Sequence, residues 1–267
     1  MTEESNTVLY QVDGTVARIT LNRPEKRNAL NEALIADLKN AVQQGSDDAA
    51  VRVAVITGAG SDFCSGADLS ALQKISDASV ADNVDDARSL MELFALIRRV
   101  PVPVVAAVRG RALAGGCGLA SVCDIVLAST SAKFGYPEVK IGFVPAMVMA
   151  ILRRNVSEKR AFELITRGDQ ISSVEAKEFG LVNQVFPDED FESAVKTYVN
   201  GFERMSKSAV ALTKQLLYQM DGMTVDAALE TGVDVNVIAR MTEDCQKGIA
   251  KFVKKAEEKE RENFPGI

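Results

Sequence analysis

Twice in this chain a short β-branched apolar run breaks at a glycine-containing turn that leads into a helix. The longer instance spans Val104 to Pro145, VVAAVRGRALAGGCGLASVCDIVLASTSAKFGYPEVKIGFVP. The run Val102 to Val108 predicts a buried strand, Gly110 breaks it, and Ala114-Gly115-Gly116-Cys117-Gly118 predicts a helix start before Leu119 to Cys123. The first N–H groups of a helix have no partner within it, and its dipole favours negative charge there. The N–H groups at Gly115 and its neighbours are therefore placed as an oxyanion hole would need them, with no Cβ at Gly115 to keep a ligand oxygen away. A Gly-Gly turn is by itself only a turn. Its weight comes from the second instance, Phe63-Cys64-Ser65-Gly66-Ala67-Asp68-Leu69 after the strand Val53 to Ile56, which could supply a second donor. One carboxylate follows the longer stretch, Glu138, after Phe134-Gly135-Tyr136-Pro137.

Composition removes several alternatives. The chain has 267 residues and no histidine, which excludes Ser-His-Asp and Cys-His mechanisms and leaves acid–base work to carboxylates, Lys, Tyr or Cys. The four cysteines (Cys64, Cys117, Cys123, Cys245) form no CxxC pair, so they read as reduced, mostly buried thiols, and no metal site is expected. A formal net charge of -6 argues against a general nucleic-acid partner. No run approaches the roughly 18 to 20 apolar residues of a membrane span. The polar, acidic Met1-Thr2-Glu3-Glu4-Ser5-Asn6 does not read as a secretory or transit signal, so a cytoplasmic location is expected.

Along the chain, Val8 to Val12 and Val16 to Leu21 alternate around Asp13-Gly14 as a β-hairpin. Asn22 to Asn31 reads as a loop whose basic residues are Arg23, Lys26 and Arg27, with Asn31 capping a helix through Leu34, Ile35, Leu38 and Val42. Residues 70 to 89 read as a helix-and-loop segment without a fixed core face, and a helix is predicted from Asp85 to Arg99, stopped by Pro101 and Pro103. Short strands are predicted at Asp124 to Ala128 and Ala132 to Phe134, and capped helices at Ser157 to Thr166 and Ser172 to Phe179. From Phe191 onward only helices are read, near 191–204, 206–220, 224–240 and 242–254. The expected organisation is a mixed α/β core over 1–195 carrying the site, and an all-helical region over 196–267 whose apolar stripes serve as core or subunit interface.

These motifs, together with Leu21-Asn22-Arg23-Pro24, Asn28-Ala29-Leu30-Asn31 and Cys123-Asp124, resemble the crotonase, or enoyl-CoA hydratase/isomerase, superfamily over nearly the whole chain. The resemblance implies an α/β fold, a spiral of ββα units with a C-terminal helical trimerisation region, in a homotrimer or a hexamer built as a dimer of trimers. It implies an enzyme acting on acyl-CoA thioesters, with coenzyme A entering as part of the substrate and no permanently bound cofactor. By the same resemblance the N–H groups of Ala67 and Gly115 hold the thioester oxygen of an enolate. Ser65, Ala67, Asp68 and Leu69 then contact the coenzyme A moiety with Lys26 and Ala29 nearby, and Phe252 and Lys254 reach it from the terminal helix, often across a subunit boundary.

One departure separates this chain from the two-glutamate hydratases of the family. The second glutamate is Glu138, whereas the first position is Gly118. Glycine can neither hold water nor move a proton. A single carboxylate beside an oxyanion hole is enough to take a proton from an enoyl thioester and return it elsewhere, so isomerase-like chemistry is expected. Tyr136 and Phe143 lie near Glu138 in sequence, and apolar surroundings of that kind raise a carboxyl pKa. The alternatives are hydration with a substitute acid such as Glu92, decarboxylation, thioester hydrolysis, or an acyl-CoA-binding protein without catalysis.

Overall fold

The computed structural model describes residues 6–263 apart from 69, 70, 72, 75 and 76, with side chains described to residue 254. The hairpin forms as read: β1 (Val8–Asp13) and β2 (Val16–Leu21) pair antiparallel from Val8↔Leu21 to Asp13↔Val16. The chain then crosses through α1 (Glu32–Asp47), capped by Asn31 accepting from the Leu34 N–H, to β3 (Val53–Gly58), parallel to β2. After α2 (Val80–Arg99) come β4 (Val104–Val108), β5 (Arg111–Leu113) and α3 (Gly115–Val122). Next are β6 (Ile125–Ser129), β7 (Lys133–Gly135), α4 (Ala146–Asn155), α5 (Glu158–Arg167), β8 (Gln170–Ser172), α6 (Ser173–Glu178), β9 (Gln184–Phe186) and α7 (Phe191–Asn200).

Two sheets result, one of six strands in the order β1-β2-β3-β4-β6-β9 and one of three in the order β5-β7-β8. The chain alternates between them: β4 leads to β5 and β6 leads to β7. Gly110 makes the first of these passages, with φ 62° and the Ser61 carbonyl oxygen 1.9 Å from where a Cβ would stand. Only glycine fits there. Isolated parallel bridges extend the small sheet further, Cys64 pairing with Ala112 and Leu30 with Ala67. Each winding thus consists of a strand in the large sheet, a short segment in the small one and a helix, as a spiral of ββα units requires.

The central strands β3 and β4 are covered on both faces, which is why they read as unbroken apolar runs. Ile56, Val104, Ala106 and Val108 join the larger core with Leu34, Leu38, Phe94 and Leu119, whereas Val53, Val55, Val105 and Ala107 face a smaller core closed by Phe191, Val195 and Val199 of α7. This alternation follows from the two-residue period of a strand. Because α7 closes a core of the α/β body, the chain divides between Glu203 and Arg204. The second unit contains α8 (Lys207–Gln219), α9 (Val225–Met241) and α10 (Glu243–Asn263). No residue of α9 is buried, and Leu229, Val233, Val237 and Ile238 lie open along it.

Some local readings change. The residues from 80 to 89 are the first half of α2, which starts five residues before Asp85 because Ser79 and Asp82 form a reciprocal capping box. The helix expected directly after Leu69 falls partly outside the described residues. Ser157 stands at the N-cap of α5 without a side-chain cap bond, while Ser172 caps α6 through Glu175. No helix among the described residues is long and apolar enough to cross a membrane.

Candidate active site

The polar segment after β2 is a wired loop. Asn28, fully buried and at φ 54°, donates from Nδ2 to the carbonyls of Ala59 (2.9 Å) and Asp62 (2.8 Å) and accepts the Arg23 N–H at 2.9 Å. Arg23 donates to the Ala29 carbonyl at 2.6 Å and pairs with Asp68 at 2.7 Å, both side chains being largely buried. Of the basic trio, Arg23 is therefore committed to holding Asp68 and Ala29, and only Lys26 and Arg27 are exposed. Ser65 is tied to the same loop, its N–H donating to the Arg27 carbonyl at 3.1 Å.

The two glycine turns meet through the small sheet. The Cys64 N–H donates to the Arg111 carbonyl (3.0 Å) and the Leu113 N–H to the Cys64 carbonyl (2.9 Å). Continuing that parallel register from Cys64↔Ala112 brings Ala67 opposite Gly115. Contacts agree: a Cβ on Gly66 would stand 2.7 Å from the Ala114 Cβ, and one on Gly115 would stand 3.1 Å from Leu30 Cδ1, while Leu30 bridges Ala67. On the Leu30 side the bonds are made by the Gly66 carbonyl (2.7 Å) and the Asp68 N–H (2.9 Å), so the Ala67 N–H points to the opposite side. Neither the Ala67 nor the Gly115 N–H donates a backbone hydrogen bond among the described residues.

Ala114 holds the second donor in place under strain. Its φ of 50° and ψ of -128° are rare for a residue with a Cβ, and its own N–H is fixed to the Gly135 carbonyl at 2.8 Å. Such a conformation costs of order 1–3 kcal/mol and persists only where neighbours impose it. Here the ladder from Arg111↔Lys133 to Leu113↔Gly135 imposes it, and the helix of Gly115 starts immediately afterwards.

Glu138 lies in the short 3-10 turn Pro137–Ile141 that follows β7. It is half-buried, and its Oε2 is shut off from solvent with no hydrogen-bond partner among the described residues. Burial pushes its carboxyl pKa up, with no neighbouring acid contributing. The carboxylate also raises the Cys117 thiol and the Tyr136 phenol, which puts it within electrostatic reach of α3. Burial raises the thiols of Cys64 and Cys117 to about 12, so neither serves as a thiolate nucleophile.

The raised pKa has a stability consequence with a definite sign. A carboxyl whose folded pKa exceeds its unfolded one favours the fold below the unfolded value, and that advantage disappears as pH rises through the folded value. At pH 7 the ion is therefore a liability, and Glu138→Gln should stabilise the protein by about 1 kcal/mol or less, since water reaches part of the side chain. Thermal melts should show a higher Tm for Glu138→Gln at pH 7, with the gap closing below the ordinary carboxylate range. An equal Tm at both pH values would mean that the carboxylate is well solvated.

Position 118 is closed. A Cβ on Gly118 would stand 2.5 Å from Val148 Cγ2 of α4 and 3.2 Å from Phe94 Cζ of α2, both of which are buried. The place from which a second carboxylate would project is occupied by packed hydrocarbon. Glu92, one candidate for a substitute acid beside the 70–89 segment, pairs with Lys39 at 3.1 Å on an exposed face.

The structure thus brings together Ala67, Gly115 and the loop of Ser65, Asp68, Ala29 and Lys26, with Glu138 reaching α3 from the adjoining turn. Leu69 lies outside the described residues, and Phe252 and Lys254 are exposed on α10 in the second unit. Three features escaped the sequence: the backbone of Ala114, the Arg23–Asp68 pair, and the Val148–Phe94 plug. The sequence carried a partial signal for the last of these, because a glycine interrupting a helix commonly marks a close approach.

Residues 11–263 match the family model described as enoyl-CoA hydratase/isomerase. The 2,3-dehydroadipyl-CoA hydratase of Escherichia coli is 34% identical over 241 residues, covering 90% of this chain and 92% of the relative. The crotonyl-CoA hydratase of Syntrophomonas wolfei is 34% identical over 260 residues, covering 96% and 97%. The crystal structure of an enoyl-CoA hydratase from Mycobacterium smegmatis superposes with a TM-score of 0.89 at 30% identity, covering 93% of this chain and 96% of that one. A family match of this extent, together with the shared crotonase fold, shows that the chain belongs to the enoyl-CoA hydratase/isomerase family.

Proposed function

We propose that this acyl-CoA enzyme moves a proton on an enoyl thioester with one carboxylate and does not add water. The Ala67 and Gly115 N–H groups hold the thioester oxygen, and negative charge grows on that oxygen as a proton leaves the acyl chain. Glu138 takes that proton and returns it to another carbon, shifting the double bond. Each step needs only one base and the oxyanion hole, because the electron pair stays within the enolate until reprotonation. The observation that carries this reading is the closure of position 118 by Val148 and Phe94. The unpartnered Oε2 of Glu138 supports it, since a desolvated carboxylate is a stronger base.

Coenzyme A would be bound along the backbone from Ser65 to Leu69 with Ala29 beside it, and exposed Lys26 is suited to a phosphate; Asp68 contributes through its backbone, its carboxylate being engaged by Arg23. By the family resemblance, Phe252 and Lys254 of the terminal helix would complete this from a neighbouring subunit. The open apolar face of α9 supports a homotrimer or a dimer of trimers. Sedimentation equilibrium should give three or six chains per particle, and a concentration-independent monomer would remove that part of the proposal.

The names of the relatives favour a second reading, hydration. It requires an acid from outside position 118. The two readings part on substrate: isomerisation consumes a 3-enoyl-CoA, and hydration consumes a 2-enoyl-CoA. Replacing Ala67 by lactic acid, or Gly115 by glycolic acid, swaps one N–H for an ester oxygen and leaves the side chain unaltered. Either change should lower kcat by about 100- to 1000-fold. A loss below threefold at both positions would mean that these donors do not hold the oxyanion.

A further inference from the structure

Beneath Glu138 lies a buried polar contact that the proposed chemistry does not use. Tyr136 is fully buried, and its hydroxyl lies 2.8 Å from Ser121 Oγ. Ser121, also buried, donates to the Cys117 carbonyl at 2.6 Å, which leaves the phenol to donate to Ser121 Oγ. The contact joins the two segments that carry the proposed chemistry. Ser121 and Cys117 are on α3, whose first residue is Gly115, and Tyr136 stands two residues before Glu138. The ladder between β5 and β7 ends at Leu113↔Gly135, so past that point the backbone hydrogen bonds of the sheet no longer hold the two segments in register. On its far side the Glu138 turn is closed by the Phe143 N–H donating to the Glu138 carbonyl at 3.0 Å.

We infer that Tyr136 and Ser121 are positioning residues: their hydroxyl pair latches the Glu138 turn to α3 and so fixes the distance from the proton-transferring carboxylate to the oxyanion donors. Two polar side chains within an apolar core gain little stability relative to hydrocarbon of the same shape. A geometric task accounts for them, because a displacement near 1 Å between base and substrate costs about 100-fold in rate. The inference rests on the proposed role of Glu138 as base.

Other ionisable groups surround the turn. Cys117 and Tyr136 are kept neutral by burial, Lys140 pairs with Asp169 at 3.7 Å, and Arg167 of α5 pairs with the same carboxylate at 2.9 Å. The experiment compares Tyr136→Phe, Ser121→Ala and the double variant by steady-state kinetics on a 3-enoyl-CoA across pH. The Glu138 carboxyl is also titrated by carbon-13 NMR, with its signal assigned through Glu138→Gln. Each single variant should lower kcat about 10- to 100-fold with KM little changed. The acidic limb and the Glu138 titration should both move to lower pH, as water reaches a loosened carboxylate. The double variant should be no slower than the worse single one, because one hydrogen-bonded pair is being broken. Ser121→Ala provides an independent result should Tyr136→Phe fail to fold. Unchanged kcat and an unmoved titration beside a lower Tm would reduce the pair to core packing and overturn the inference. If the wild-type protein turns over no enoyl-CoA, the proposed reaction fails, while the titration still decides whether the latch sets the environment of Glu138.

Discussion

Glu138→Ala lowers kcat for isomerisation of a 3-enoyl-CoA by about 100- to 10,000-fold, the range a positioned general base contributes. KM should change little, because the proposed oxyanion donors and coenzyme A contacts come from backbone at Ala67, Gly115 and the Ser65 loop, which the substitution leaves intact. Folding should also be preserved, since Glu138 has no side-chain hydrogen bond to lose at Oε2 and removing a half-buried charge relieves desolvation. A loss of activity in a stably folded variant therefore reports on chemistry. In the wild-type enzyme, kcat/KM should fall below a pKa lying above the ordinary carboxylate range, because the base must be ionised and its burial raises that value. Retained activity in Glu138→Ala would mean that a different base carries the proton.

The second large effect concerns the position where a two-glutamate enzyme would carry its other acid. Gly118→Glu should destabilise the protein by about 3–5 kcal/mol, because the side chain must displace Val148 and Phe94 and buries a charge without a partner. Gly118→Ala should cost less, since part of its overpacking is offset by the roughly 1 kcal/mol by which alanine exceeds glycine in a helix. Val148→Ala alone should also destabilise, by leaving a cavity, yet combined with Gly118→Glu it should recover part of the loss. Chemical denaturation of the four variants reads this directly. If Gly118→Glu proves as stable as the parent, the pocket at 118 is open and the single-carboxylate reading loses its support.

Most of the large sheet, and the motifs on which the proposed site rests, were legible in the sequence. Val53 to Ile56 and Val104 to Val108 are apolar enough to be read as strands, and two glycine turns with one following carboxylate carry the proposed chemistry. The short strands β5, β8 and β9 were not legible, because three residues cannot display a period of two and their pairing is long-range. Helix α4 was missed for a different reason: its N-cap is Pro145, which offers no side-chain cap, and it lies inside an apolar run whose period is hard to read. The glycine at 118 was visible as a missing glutamate, but Val148 and Phe94 arrive from two other helices, and no local pattern announces such a meeting. Asp68 was read as part of a backbone contact to coenzyme A from its place in the motif; the structure adds that its carboxylate is engaged by Arg23. The motif reported where that residue lies, and only the fold revealed its partner.

The most direct test of the account is turnover of a matched pair, a 3-enoyl-CoA and a 2-enoyl-CoA of the same medium chain length, by the wild-type protein and by Glu138→Ala. A single-carboxylate isomerase converts the 3-enoyl substrate to its 2-enoyl isomer, adds no water to the 2-enoyl substrate, and loses the conversion in the variant. Rapid hydration of the 2-enoyl substrate would contradict it, showing that an acid elsewhere replaces the carboxylate for which position 118 has no room.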